Sequence, residues 1–368
     1  MGKQIVIMIV VVAAVLAAAV PAQAAADTTA ALGYLKTQQN ADGGFGSGFS
    51  PDSSLSSTAD AVLAIVAAGG DLASFDKGGN TPLAYLAAQA PSAVAGGDLA
   101  KLILAATAAG ENPRQLGGVD SVAKLEALIG ASGRIGAATD TFFGHCLAVL
   151  ALKSADRPIP PAAVGLIKIT QQDGGGWAWD GSAATAADTN TTAVAVQALA
   201  AAGEAPSPIA KALSYYHNIQ NDDGGWPYQS PSSFGTATDA NSTAVTIQAI
   251  LAAGQDPASA EWTTATGQTP VTALEALQNP SGAFAWQATA RDDNLLATVQ
   301  ALPALAGKPF PLATMDVGPS QSPVSSPAST LPVTGGAATN PALPLILAGL
   351  GLASGGYALR RRAKWTQD

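Results

Sequence analysis

The chain of 368 residues predicts an all-α protein, six helical hairpins closed into a ring. Two observations carry that expectation. A pattern of Gln, usually Asp three residues on, then Gly, then Gly or Ala, then an aromatic recurs along the chain. Each copy lies between a helix with one apolar face and a helix that is apolar on all sides. A unit that recurs in this way sets the architecture of the whole chain.

The clear copies are QNADGGF from Gln39, QQDGGGW from Gln171, QNDDGGW from Gln220 and QNPSGAF from Gln278. The first two are 132 residues apart, against 49 and 58 for the later gaps, and two worn copies fit between them, near Gln89 and Ile129. Each glutamine closes a helix with amphipathic spacing, as in TPLAYLAAQ and TPVTALEALQ. Thr81-Pro82, Ser207-Pro208 and Thr269-Pro270 predict the openings of such helices. There a hydroxyl accepts an orphan N–H, and proline at the first helical position gives up no hydrogen bond. The double glycine then ends the helix and permits positive φ. A second helix follows, best seen in DTNTTAVAVQALAAAG from Asp188 and DANSTAVTIQAILAAG from Asp239. Helices apolar all round are buried all round. Amphipathic helices therefore form an outer layer and apolar ones an inner layer. No polar capping repeat closes the ends of a stack, so the six hairpins are expected to close into an (α/α)6 toroid over residues 27–312.

The segments on either side are of another kind. Residues 1–24 carry Lys3, an apolar run from Ile5 to Val20 and a small-residue site ending at Ala24, the pattern of a secretory signal peptide. A Pro/Ser-rich linker is expected over 313–330, and LPVTG at 331–335 opens the final segment, 331–368, with an apolar span and then Arg360, Arg361, Arg362 and Lys364. That order resembles the cell-wall sorting signal of Gram-positive bacteria. The resemblance implies cleavage by a sortase between Thr334 and Gly335 and attachment to peptidoglycan. A tail anchor in the plasma membrane is the alternative, and it gives the same outward-facing topology. Both place the ring outside the cell.

The net charge of −9 becomes −13 for the mature ectodomain once the five basic residues of the two ends and Asp368 are set aside. Such a surface disfavours nucleic acid and anionic lipid. Membrane contact is expected only through the C-terminal span before processing. The single cysteine, Cys146, excludes an internal disulfide framework, so stability must come from the core.

The Gln to Gly-Gly-Trp pattern, with the aromatic–Leu pair Tyr34-Leu35 before it, resembles the repeat of squalene-hopene cyclases and the α/α toroids of protein prenyltransferases and cobalamin carriers. The cyclases of that superfamily protonate an alkene with a DxDDTA motif. The matching frames here are DTNTTA (188–193) and DANSTA (239–244), in which the inner acids are replaced by Asn190 and Thr191, and by Asn241 and Ser242. Amides and hydroxyls do not deliver that proton. The prenyltransferase resemblance implies zinc held by Asp, Cys and His, but only His145, His217 and Cys146 are present, and adjacent helical residues point about 100° apart. No metal or cofactor is expected.

Geometry still places a candidate site. Every turn leads into the N-terminus of an inner helix, so all turns share one face of the ring. On that face the sequence collects Asp140, His145, Asp188, Asn190, Asp239, Asn241, Asp292 and Asp293, with Trp177, Trp226, Tyr228 and Trp286 beside them. These residues read either as helix caps and turn wedges or as the polar mouth of an apolar funnel. Two functions follow. One is a noncatalytic surface module that binds a hydrophobic or cofactor-like ligand, such as a corrinoid, or a surface partner. The other is a terpene cyclase- or prenyltransferase-like enzyme acting on an isoprenoid-type substrate.

Overall fold

The computed structural model describes residues 25–319, apart from 49, 138, 204, 205 and 234. Six hairpins follow one another: α1 (Thr28–Gln38) with α2 (Leu55–Ala67), α3 (Pro82–Gln89) with α4 (Gly96–Ala108), α5 (Ser121–Glu126) with α6 (Phe142–Ser154), α7 (Pro161–Ile169) with α8 (Thr189–Ala201), α9 (Pro206–Ile219) with α10 (Ala240–Ala252), and α11 (Pro270–Glu275) with α12 (Leu295–Leu305). The even-numbered helices pack side by side in chain order, and α12 packs on α2. The ring is closed, as the buried inner helices lead one to expect. Among the described residues the only named strands are a short antiparallel hairpin, β1 (Phe284–Gln287) and β2 (Ala290–Asn294), in the sixth repeat.

The repeated glutamine joins neighbouring repeats. Gln220 Nε2 donates to the Gly224 carbonyl of its own turn at 3.0 Å and to the Trp262 carbonyl ahead of the next outer helix at 3.1 Å. Gln278 does the same across the seam, giving one N–H to Gly282 and another to Asp27, while its side-chain oxygen accepts the Asp27 N–H. The turn glycines are required by contact as well as by φ. At Gly282 (φ +88) a Cβ would lie 2.3 Å from the Ala30 backbone, so glycine alone lets the last turn press against the first helix.

Caps follow the expected chemistry at Thr81 and at Thr269, which forms a capping box with Thr272. The exception is α9: it begins at Pro206, one residue before the expected cap, so Ser207 lies inside its first turn. The second repeat lacks the glycine–aromatic turn, and a 3-10 turn at Ala90–Ser92 stands in its place.

Beyond α12 the chain does not leave the ring. Lys308 O accepts from Gln248 Nε2, Phe310 N–H donates to Gln197 Oε1, Ala313 O and Met315 N–H bond to Ser154, and Val317 O and Gly318 O accept from Arg114. This strap crosses the C-terminal ends of α10, α8 and α6 in turn. It takes up residues 313–318, which composition alone assigns to the linker. The signal peptide, Thr334, Gly335 and the C-terminal apolar span lie outside the described residues. Among those described, no helix is long and apolar enough to cross a membrane.

Candidate functional site

The N-terminal ends of five of the six inner helices are built the same way; α4, with Leu99 at its fourth position, is the exception. In the five, the fourth residue accepts the backbone N–H of the turn aromatic or its equivalent: Thr58 from Phe45, Thr192 from Trp177, Thr243 from Trp226 and Thr298 from Phe284. His145 holds this position in the third repeat, where its Nδ1 accepts from Ile135 N–H at 3.1 Å. The proton therefore sits on Nε2, which donates to the Ala163 carbonyl at 3.1 Å. Burial brings its pKa down to about 4, because the charged form cannot be solvated. His145 is a structural stand-in for threonine.

Trp177 and Trp226 are fully buried, with indole N–H groups on Ile167 O and Tyr216 O. They wedge the turns and leave no face to a ligand. Asp188 and Asp239 cap α8 and α10 by accepting from Thr191 N–H and Ser242 N–H, each at 2.7 Å. Burial raises both to about 6, against the lowering effect of those same bonds. Asp239 Oδ2 also accepts the Ser242 hydroxyl at 3.0 Å, whereas Asp188 Oδ2 has no partner. Tyr228 lies near both carboxylates, and its phenol is pushed up first by burial and then by their charge and that of Tyr215.

Other expected members of the site are placed differently. Thr141, not Asp140, caps α6; Asp140 Oδ2 reaches across to Gly96 N–H at the start of α4 and to Ala137 N–H. Asp292 and Asp293 lie on β2, and Asn294 caps α12. Asp293 accepts from Asn279 and Ser281 in its own turn. Trp286, on β1, is 36% exposed.

Solvent reaches the inner helices mainly along one stripe. Residues two and six of each helix share a face, and in all six helices at least one of them is partly exposed: Ser56, Asp60, Gly97, Phe143, Asn190, Val245, Leu296 and Gln300. Outer helices and neighbours cover the other faces, so this stripe lines the bore. Bonds across adjacent helices agree: Lys101 Nζ donates to Asp60 at 2.6 Å and to Ser56 at 2.8 Å, and Asn241 Nδ2 donates to Gln300 at 2.8 Å. Asn190 Oδ1 is buried without a partner. Three residues deeper, at position nine, Leu63, Leu104, Leu150, Gln197, Gln248 and Pro303 are all buried. Two of these, Gln197 and Gln248, hold the strap. The bore is therefore a shallow cup, open at the inner-helix N-termini and floored by this layer.

Its wall is polar on the side of Ser56, Asp60, Lys101, Asn241 and Gln300, and apolar at Phe143, Leu147, Val194 and Val245. Asp60, Lys101 and Gln300 escaped the sequence reading. Their signal was a charged or amide side chain inside helices otherwise apolar all round. Cys146 is fully buried, its thiol pushed up by burial, and among the described residues no three His, Cys, Asp or Glu side chains are grouped to hold a metal ion.

A closed ring of six hairpins whose inner N-termini surround a cup defines the α/α toroids. The chain belongs to the prenyltransferase alpha-alpha toroid domain family, whose pattern matches residues 4–88 and 140–290. No curated protein matches the sequence. Among solved structures it is similar to the type II terpene cyclase MstE from Scytonema, with a TM-score of 0.53 and 15% identity over 76% of this chain and 96% of that one. A protein from Actinoplanes aligns at TM-score 0.56 and 13% identity over 76% and 98% of the two chains. A glycosidase variant in complex with glucose aligns at TM-score 0.52 and 11% identity over 77% and 96%. At these identities the likeness is one of fold, and one fold hosts several functions.

Proposed function

We propose that the protein is a noncatalytic, surface-displayed binding module whose cup takes a hydrophobic or cofactor-like small ligand. One observation carries this: the cup holds no acid free to start a reaction. The positions aligned with the two inner cyclase acids carry Asn190 and Thr191, and Asn241 and Ser242. The retained Asp188 and Asp239 are buried helix caps, and the one carboxylate at the second and sixth helical positions, Asp60, is bonded to Lys101. A half-polar, half-apolar cup suits a ligand held by a few directed hydrogen bonds and a hydrophobic body. Its buried floor also leaves little depth for a long isoprenoid chain. Display on the wall rests on the sorting-signal resemblance, with sortase and peptidoglycan as the anchoring partners.

A cyclase- or prenyltransferase-like enzyme is the second reading. It is favoured by the two buried carboxyls, Asp188 and Asp239, poised near pH 6 beside the mouth, and by the cyclase among the structural neighbours. Native mass spectrometry separates the two, after incubation with an envelope lipid extract and a corrinoid panel. Binding predicts an adduct whose mass equals that of a compound supplied, lost on Gln300→Leu. A bound or released species of changed mass, abolished by Asp188→Asn without loss of folding, overturns it in favour of the enzyme.

A further inference from the structure

The rim of the ring carries a second feature, outside the cup. Two residues after each turn aromatic, repeats four, five and six place Trp179, Tyr228 and Trp286 in one register. Trp179 is 37% exposed. Its backbone is fixed, since its carbonyl accepts the Phe142 N–H at 2.8 Å, so the indole is presented by a held segment rather than a loose one. Beside it lies a cleft of about 410 Å³ lined by Arg134, Thr139, Asp140, Thr141, Trp179 and Asp180.

The chemistry of this lining is specific. Arg134 donates one N–H to the Asp140 carbonyl, while its Nε is buried with no acceptor. The guanidinium as a whole is only partly buried and lines the cleft, so its charge faces whatever the cleft holds. Asp140 uses Oδ2 for the backbone of Gly96 and Ala137, and its Oδ1 takes part in neither bond. Thr141 Oγ1 accepts from Gly144 N–H and keeps its own proton to donate. A flat apolar face with a guanidinium, carboxylate and hydroxyl groups around it matches a ring with one apolar face and hydroxyls at its edge. Two carboxylates against one guanidinium, on an acidic ectodomain, disfavour an anionic ligand.

We propose that this rim cleft is a binding site for a neutral glycan, with one sugar ring stacked on Trp179 and its oxygens directed to Arg134 and Asp140. The site is independent of the cup and of what the cup binds.

The test is isothermal titration of the full chain with two neutral tetramers, β-1,4-linked glucose and β-1,4-linked N-acetylglucosamine, and with polygalacturonate as the anionic comparator. Saturable binding of a neutral tetramer is expected. Trp179→Ala should weaken it about tenfold or more and Trp179→Phe should restore most of it, while circular dichroism of both variants keeps the helical spectrum of the wild type. No saturable heat with either neutral tetramer, binding undiminished in Trp179→Ala, or tighter binding of polygalacturonate would each overturn the proposal.

Discussion

Replacing Trp226 by alanine tests how the repeats hold together. The side chain is fully buried, its indole N–H bonds the Tyr216 carbonyl at 2.9 Å, and its ring meets Tyr216 and Trp262 edge-on at centroid distances of 5.9 Å. Truncating a buried tryptophan costs about 3–5 kcal/mol. Two aromatic contacts, each worth about 0.5–1.5 kcal/mol beyond area, place it at the upper end. The freed Tyr216 carbonyl lies in the last turn of α9, where carbonyls lack helical partners, so it too loses a bond. With about 2–4 °C per kcal/mol for chains of 150–250 residues, and the low end for a longer ring, the melting temperature should fall by about 10 °C. Circular dichroism melts and guanidinium titrations measure it; the midpoint should move with little change in slope. A fall below about 3 °C accompanied by lost ligand binding would refute the reasoning and make Trp226 a ligand contact.

The remaining predictions concern pH. Burial holds His145 down at about 4 when folded, below its ordinary 6.5, so its contribution is full above 6.5 and is lost as pH falls toward 4. Asp188 and Asp239 act oppositely: raised from 3.8 to about 6, they contribute stability below 3.8 that is lost as pH rises through 6. At about 1.4 kcal/mol per pKa unit, each effect is on the order of 3 kcal/mol, and they oppose one another between pH 4 and 6. His145→Thr, the residue found at the equivalent positions 58, 192, 243 and 298, should therefore make unfolding free energy rise more steeply on acidification than in the wild type. Asp188→Asn keeps a capping side chain and should flatten that rise. Denaturant titrations at pH 4.5 and 7 check both, and parallel pH dependences in all three proteins would contradict the assignment.

What was legible in the sequence was whatever each repeat must solve again. The Gln, the double Gly and the aromatic recur because every turn needs a side chain to reach the next repeat, a residue without Cβ at a backbone contact and a wedge. Gly224, whose added Cβ would meet the Thr269 carbonyl at 2.6 Å, could be no other residue without moving the chain. The strap was not legible. Its anchors, Gln197, Gln248, Ser154 and Arg114, each act once and lie 60 to 204 residues from the groups they hold, so no local pattern announces them. Asp140 and Thr141 are both capping residue types, and only the approach of Gly96 decides which one caps α6. The β hairpin is polar and short, and it owes its form to the turn it closes. The expected polar residues gather at the turns and inner-helix N-termini, whereas Asp60 and Lys101 sit a turn further into inner helices and stand out only once the ring turns that stripe toward water.

The floored cup is the claim on which the rest depends, and cysteine labelling tests it directly because the native Cys146 is buried and silent. Asn190→Cys, at the second position of α8, should react readily with a small methanethiosulfonate reagent and be protected by bound ligand. Leu104→Cys, at the ninth position of α4, should stay unreactive while the protein is folded. Equal, fast labelling at both sites would mean that the bore runs through the ring, and no labelling at either would mean that there is no cup.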